Sequence, residues 1–268
     1  MRRTHAKHYR RPGEAQREAL SLAWLAEVPD GARIVRVLAE APYRLDLEYL
    51  PPMAAAEGAA EAFGRALART HAAGASHFGA PPPGWDGPGG IGLAPMSYCS
   101  EAGRRWGEFY AAERVLPYAR AAAKRGTLEA EDLTDIEAVA ARLDNGDFDS
   151  PQPGLLAAGQ AARLHGDLWT GNVMWIEPAG ADREGWTGAA LIDPSAHGGH
   201  AETDLAMLAL FGLAGLGRVL DSYNEVSPLA EGWPERIGLH QLYPLLVHAL
   251  LFGGSYGAKA GAKARAYL

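Results

Sequence analysis

Residues 164–173 read Leu164-His165-Gly166-Asp167-Leu168-Trp169-Thr170-Gly171-Asn172-Val173 (LHGDLWTGNV), with two glycines, an acid and an amide between two apolar runs. Downstream, Val173–Ile176 and Ala189–Ile192 are short apolar runs separated by a polar, glycine-containing segment, a pattern that predicts a β-hairpin. Asp193 ends the second run, in Leu191-Ile192-Asp193-Pro194. Such a hairpin sets Asn172, at the start of one strand, beside Asp193, at the end of the other. Asp167 lies on the loop that feeds the first strand. Three oxygen-bearing side chains then converge at one end of the hairpin. Taken singly, Asp and Asn are ordinary turn formers. Taken together they suit phosphoryl transfer from ATP. Asn172 and Asp193 supply hard oxygen ligands for Mg2+, and Asp167 can orient an attacking hydroxyl and accept its proton.

Outward from this stretch the chain divides unequally. Glu14–Glu27 has helical spacing and stops at Pro29, and Arg33–Leu38 reads as a strand. Tyr43–Leu50 alternates strictly, with Tyr43, Leu45, Leu47 and Tyr49 on one face, and is expected to form an antiparallel hairpin with the strand before it. Glu57–Ala73 is helical and closes at Gly74; residues 75–96, rich in Gly and Pro, read as an irregular connection. Ser100–Lys124, bent at Pro117, and Glu129–Leu143 carry further helical patterns, which resume from Glu202 and over Pro234–Phe252. This order lacks the regular alternation of a parallel α/β sheet. It predicts an α+β fold, with a small N-terminal α+β lobe over residues 1–50 and a mainly helical lobe over 51–268.

Bulk composition narrows the function. The 268 residues are 48% hydrophobic and carry a formal net charge of -7, which argues against nucleic acid as a partner. Arg2, Arg3, Lys7, Arg10 and Arg11 form the nearest thing to a basic patch and read as a solvated N-terminal segment. The one cysteine, Cys99, can form no internal disulfide and reads as an inert small residue. The most apolar stretch, Leu242–Gly254, is broken by Pro244 and His248 and is too short to span a bilayer. No secretory signal is expected, and the protein is expected in the cytoplasm with no membrane partner. The nine histidines include no HExxH, and His165, His197 and His200 read as structural. Composition leaves the oligomeric state open, with a monomer favoured.

HGDLWTGNV followed by LIDPSAHGGHAETDLAM (Leu191–Met207) resembles the fructosamine kinase (ketosamine-3-kinase) family. That family is grouped with the protein-kinase-like aminoglycoside and choline phosphotransferases. AFGRALARTHAAGASHFGAP (Ala62–Pro81) and WGEFYAAERVLPYARAA (Trp106–Ala123) also resemble family segments, so the similarity runs from about Glu14 to the C-terminus. The resemblance implies a bilobal protein-kinase-like fold in which Asp167 is the proton-accepting catalytic Asp and Asn172 and Asp193 are the Mg2+ ligands. It further implies that the backbone of Glu48-Tyr49-Leu50 meets adenine, that Glu18 pairs with a phosphate-holding Lys, and that buried Asp204 steadies the catalytic loop. The implied reaction transfers the ATP γ-phosphate to the 3-hydroxyl of a ketosamine.

The sequence departs from the family at its start, where two strands joined by a glycine-rich loop are expected before the Lys strand. Here Met1-Arg2-Arg3-Thr4 stands about where that Lys strand belongs, so the N-terminal lobe is expected to be incomplete and the chain a shortened form of a complete kinase. Either Arg3 or Lys7 could fill the Lys position. Gly87-Pro88-Gly89-Gly90-Ile91-Gly92 imitates a phosphate loop but follows no expected strand, and reads as an ordinary connection. Trp169 either packs the loop or lines the substrate site. Two other functions stay open: a related aminoglycoside- or choline-type phosphotransferase, and a nucleotide-impaired binding protein without catalysis.

Overall fold

The computed structural model describes residues 3–100, 102–177 and 188–268. Arg2, residue 101 of the long helical pattern and the hairpin connection at 178–187 lie outside the described residues. The N-terminal sheet has three antiparallel strands, β1 (Thr4–His8), β2 (Val37–Ala41) and β3 (Arg44–Glu48), in the order β1-β3-β2. Helix α1 (Glu14–Ala26) connects β1 to β2 and starts after Gly13, whose φ of 85° only glycine takes without strain. The Glu14 carboxylate accepts the backbone N–H groups of Arg10 and Arg11 and braces this turn. The basic segment read as solvated is largely exposed but is also a strand: β1 pairs with β3 in the register Lys7↔Leu45.

The expected strand at Arg33–Leu38 begins later and is bulged between Val37 and Ala39. Its first residues have another partner. Helix α2 (Ala59–Ala72) follows β3, and a small hairpin, β4 (Gly89–Ile91) with β5 (Ala94–Met96), lies inside the Gly/Pro-rich stretch read as irregular. The long helical pattern from residue 100 resolves into α3 (Trp106–Phe109), a π-helical turn (Tyr110–Val115) and α4 (Leu116–Lys124). The turn buries Arg114 with its guanidinium 4.7 Å from the Phe109 ring centre, a contact that offsets part of the desolvation of the charge. After α5 (Ala130–Asn145) come β6 (Ala162–Leu164), β7 (Val173–Trp175), β8 (Ala189–Leu191) and β9 (His197–Gly199). β6 pairs with β9 and β7 with β8, both antiparallel. Helices α6 (Ala201–Phe211), α7 (Leu216–Val226), α8 (Trp233–His240), α9 (Leu242–Phe252) and α10 (Tyr256–Arg265) complete the chain. No helix among the described residues is long and apolar enough to cross a membrane.

Two interactions carry the sheet onto the rest of the molecule. The backbone of Arg33–Val35 runs parallel to β8, with Val35 N–H donating to Leu191 O at 3.0 Å and Leu191 N–H to Arg33 O at 2.8 Å. This is the partner that draws Ile34 and Val35 away from β3. Leu22, Leu45, Leu67, Leu191 and Tyr223 then share one apolar cluster that spans α1, β3, α2, β8 and α7. A second cluster, with Tyr110, Val115, Ile136, Leu143 and Leu246 at its centre, holds α3, α4, α5, α8, α9 and α10 together. Tyr43 and Tyr49, assigned to the buried face of β3, stand half-exposed because they lie beyond the two ends of the paired segment.

Helices α2 and α7 meet at Gly64, where a Cβ would overlap the Val219 carbonyl oxygen and the Ser222 hydroxyl. Gly64→Ala is therefore expected to destabilise the fold by about 1–3 kcal/mol despite the higher helix propensity of alanine, as read from the midpoint of urea unfolding.

Candidate functional site

Asp204, fully buried near the start of α6, fixes the loop that the sequence singled out. Its Oδ2 accepts the His165 N–H at 2.7 Å and its Oδ1 accepts the Gly166 N–H at 3.0 Å. His71 Nε2 lies 3.2 Å from Oδ2, and His71 Nδ1 lies 2.9 Å from the Tyr223 hydroxyl. Burial works to raise the Asp204 pKa, but the His71 contact and the His165 N–H outweigh it and hold the carboxyl below its ordinary value. Gly166 takes φ 81°, and a Cβ there would overlap the Ser195 carbonyl oxygen, so this loop position admits only glycine. His165 Nδ1 accepts the Asp167 N–H at 3.3 Å, which leaves Nε2 to donate to Ile192 O at 2.9 Å. Burial depresses the His165 pKa, so the ring is a neutral brace between the loop and the end of β8.

Asn172 and Asp193 are brought together as the hairpin spacing required. Val173 pairs with Leu191, and Ile192 N–H donates to Asn172 O at 3.1 Å. The Asn172 amide nitrogen donates to Asp167 O at 2.7 Å and to Asp167 Oδ2 at 3.3 Å. Asp193 sits at φ 55°, a left-handed conformation that costs a non-glycine residue roughly 1 kcal/mol and is typical of functional positions. Burial lifts the Asp167 carboxyl to about 6, with the Asn172 hydrogen bond pulling against it and Asp193 and Asp204 adding to the rise.

Lys7, and not Arg3, reaches this centre. Its Nζ lies 2.6 Å from Glu18 Oε2 and 2.9 Å from Asp193 Oδ1, joining β1, α1 and the end of β8. Burial works against the ammonium, but the two carboxylates prevail and raise its pKa. Arg3 instead lies 5.8 Å from the centre of the Tyr49 ring. Lys7 and Asp193 line two cavities that meet at this ion pair. One, of about 380 Å3, is walled by Val35, Leu47, Met174 and Ile192 and by Glu48, Tyr49 and Leu50, the stretch whose backbone the family resemblance set against adenine. The Glu48 side chain turns aside, to Arg33 at 2.6 Å and Arg36 at 3.0 Å, so its contribution to this cavity is backbone. The other cavity, of about 650 Å3, holds Asp167, Asn172 and Trp169 and is closed on its far side by Gly90, Gly92 and Leu93 of the β4–β5 hairpin. The glycine-rich stretch read as an ordinary connection thus lines the same cavity as the loop bearing Asp167.

The donor set fits a hard divalent cation. Asp193 keeps a half-exposed carboxylate, and the amide oxygen of Asn172 has no hydrogen-bond partner among the described residues. Glu18 and Asp193 set two carboxylates on one ammonium, and the charge of Asp193 also bears on Asp167, negative surroundings that a cation with oxygen ligands relieves. A second cluster, His200, Glu202 and His240, has ligand atoms within 4.8 Å of one another, but its carboxylate is already neutralised by an arginine; His240 Nε2 lies 3.3 Å from Glu202 Oε2 without a hydrogen bond. Arg236 grips both Glu202 oxygens at 2.6 and 2.9 Å, His200 Nδ1 accepts the Glu202 N–H, and His240 Nδ1 lies 2.9 Å from the Thr203 hydroxyl. It holds the start of α6, and with it Asp204. His200 is structural, as its sequence context suggested.

Comparison with known proteins identifies the architecture. The model of the fructosamine kinase family matches residues 10–268. A Klebsiella aerogenes protein described as "Probable ketoamine kinase" is 34% identical over 213 residues, 79% of this chain; the chain spans about two thirds (65%) of that curated relative's length. The crystal structure of a Thermobifida fusca protein described as "putative fructosamine-3-kinase" superposes with a TM-score of 0.81 at 45% identity, covering 95% of this chain and 80% of that one. An ADP-bound aminoglycoside phosphotransferase, at 15% identity, shares the fold with a TM-score of 0.53 over 95% of this chain and 83% of its own. The fold is that of the protein-kinase-like phosphotransferases, and the chain belongs to the fructosamine kinase family.

Proposed function

We propose that this protein is a kinase of ketosamines, transferring the γ-phosphate of ATP to the sugar 3-hydroxyl. The observation that carries the reading is the Lys7 ion pair at the junction of two cavities, an apolar one lined by Val35, Leu47, Met174 and Ile192 and a more polar one containing Asp167. In this reading adenine enters the smaller cavity against Glu48-Tyr49-Leu50, and residues 1–50 form the nucleotide side of the molecule. Lys7, held by Glu18, meets the phosphates. Asn172 and Asp193 hold Mg2+, which when bound screens the charge on the phosphates. The acceptor occupies the larger cavity, within the part of the chain from 51 to 268. Asp167 orients the 3-hydroxyl and takes its proton as the oxygen bonds to phosphorus and ADP leaves. Its raised pKa suits it to that exchange near neutral pH.

ADP release from ATP and Mg2+ in the presence of a ribulosamine-type ketosamine tests the reading. Release is expected to require the ketosamine and to fall about 100- to 10,000-fold in Asp167→Asn. Nucleotide binding without release under any of these conditions would leave a binding protein in its place. Because the base must be unprotonated, kcat/KM is expected to rise with pH through an acid limb near pH 6.

The same carboxyl links activity to stability. Its folded pKa of about 6 exceeds the ordinary 3.8, so the fold favours the protonated form and loses that contribution as pH rises through 6. Asp167→Asn is expected to raise the melting temperature by about 3 °C at pH 7. At pH 4, where the native carboxyl is itself protonated, the gain should disappear. For Lys7→Met, titration with a fluorescent ATP analogue is expected to give a Kd raised roughly tenfold, since a charge-assisted contact is lost.

A further inference from the structure

The larger cavity has a cationic wall that the proposed transfer does not use. Arg17 immediately precedes Glu18 on α1, so the two side chains leave the helix about 100° apart. Glu18 turns to Lys7, and Arg17 turns to the β4–β5 hairpin. There its guanidinium is seated against Gly90: a Cβ at that position would stand 2.7 Å from Nη1 and 3.0 Å from Nη2. A side chain at position 90 would push the guanidinium off this seat.

Arg17 is half-buried, yet its guanidinium makes no ion pair or hydrogen bond with any described residue. Arg33, Arg105 and Arg236, by contrast, are each matched to carboxylates at 2.6–2.9 Å. A guanidinium withheld from protein carboxylates is placed for an anion from outside, which its planar fork can grip with two parallel hydrogen bonds. Arg17 and Gly90 line the same cavity as Asp167 and Trp169, and Arg10 and Arg11 add positive charge to its lining. An acceptor with its hydroxyl at Asp167 therefore shares one cavity with the unpaired Arg17 guanidinium, whereas the charges of Arg10 and Arg11 are partly offset there by Glu14.

We propose that Arg17 binds an anionic group of the acceptor, so that the preferred substrate is a ketosamine carrying either the carboxylate of a free amino acid or a phosphate on its sugar. The inference rests on the kinase reading and narrows its substrate class. A ketosamine on a simple uncharged amine offers nothing to this wall.

Steady-state kinetics with three acceptors on one ketose test it: the glycine adduct, the methylamine adduct, and the methylamine adduct phosphorylated at C6. The unaltered protein is expected to show a KM about tenfold lower for one of the two anionic acceptors than for the neutral one. Which of the two is favoured identifies the group. Arg17→Gln is expected to abolish that ratio, Arg17→Lys to restore part of it, and Gly90→Ala, which displaces the guanidinium, to reduce it. An equal loss for neutral and anionic acceptors, or an unchanged ratio in Arg17→Gln, would overturn the assignment while leaving the kinase reading intact. Absence of turnover with all three acceptors in the unaltered protein would remove both.

Discussion

A single buried carboxylate organises the centre of this molecule. Asp204 has no solvent, so the hydrogen bonds from the His165 and Gly166 N–H groups and the His71 contact are what make its burial tolerable. Removing a partner would leave a charge unpaired in the core, and the loop bearing Asp167 is thereby tied to α6 and α2 at once. His165 extends the tie to the end of β8 through Ile192 O, so Asp167, Asn172 and Asp193 are positioned by one connected network. The flexibility expected of a glycine-containing loop is removed by backbone hydrogen bonds to a rigid interior.

Lys7 performs the complementary task at the surface of that interior. Glu18 and Asp193 belong to elements far apart in sequence, and one ammonium bridges them. The pair is partly exposed, so its contribution to stability is modest. Its value lies in geometry: it fixes α1 and the N-terminal sheet relative to the β7–β8 hairpin, where the two cavities meet. The parallel run of Arg33–Val35 along β8 gives the same junction a backbone tie.

Much of the centre was legible because its spacing is local. A hairpin places the residues that flank its two strands side by side, so Asn172 and Asp193 follow from the two apolar runs alone, and the glycines mark the turn that delivers Asp167. The helices α1, α2 and α5 and the β2–β3 pairing followed from periodicity in the same way. What could not be read depends on distant partners. Arg3 and Lys7 share one face of β1, so alternation cannot choose between them; the choice is made by α1 folding back to set Glu18 beside Lys7. The strand expected at Arg33–Leu38 was displaced because β8, some 150 residues later in the chain, takes Ile34 and Val35 for its own ladder. The β4–β5 hairpin was hidden by the glycines and prolines that signal loops, although its tip walls the larger cavity.

If Asp167 is the base of the transfer we propose, the charge arrangement makes stability and function pull apart there. A base must be basic enough to take a proton, and burial beside Asp193 and Asp204 makes this carboxyl so by disfavouring its ionised form. Full burial without a hydrogen bond would keep it protonated at neutral pH and useless as a base, and full exposure would return it to an ordinary, weakly basic carboxylate. The Asn172 amide holds it between these limits, stabilising the charge with one bond while its own oxygen remains available to a cation. In the transfer we propose, the position of Asn172 would serve two ends: it tempers the base, and it keeps an oxygen beside Asp193 for a divalent cation.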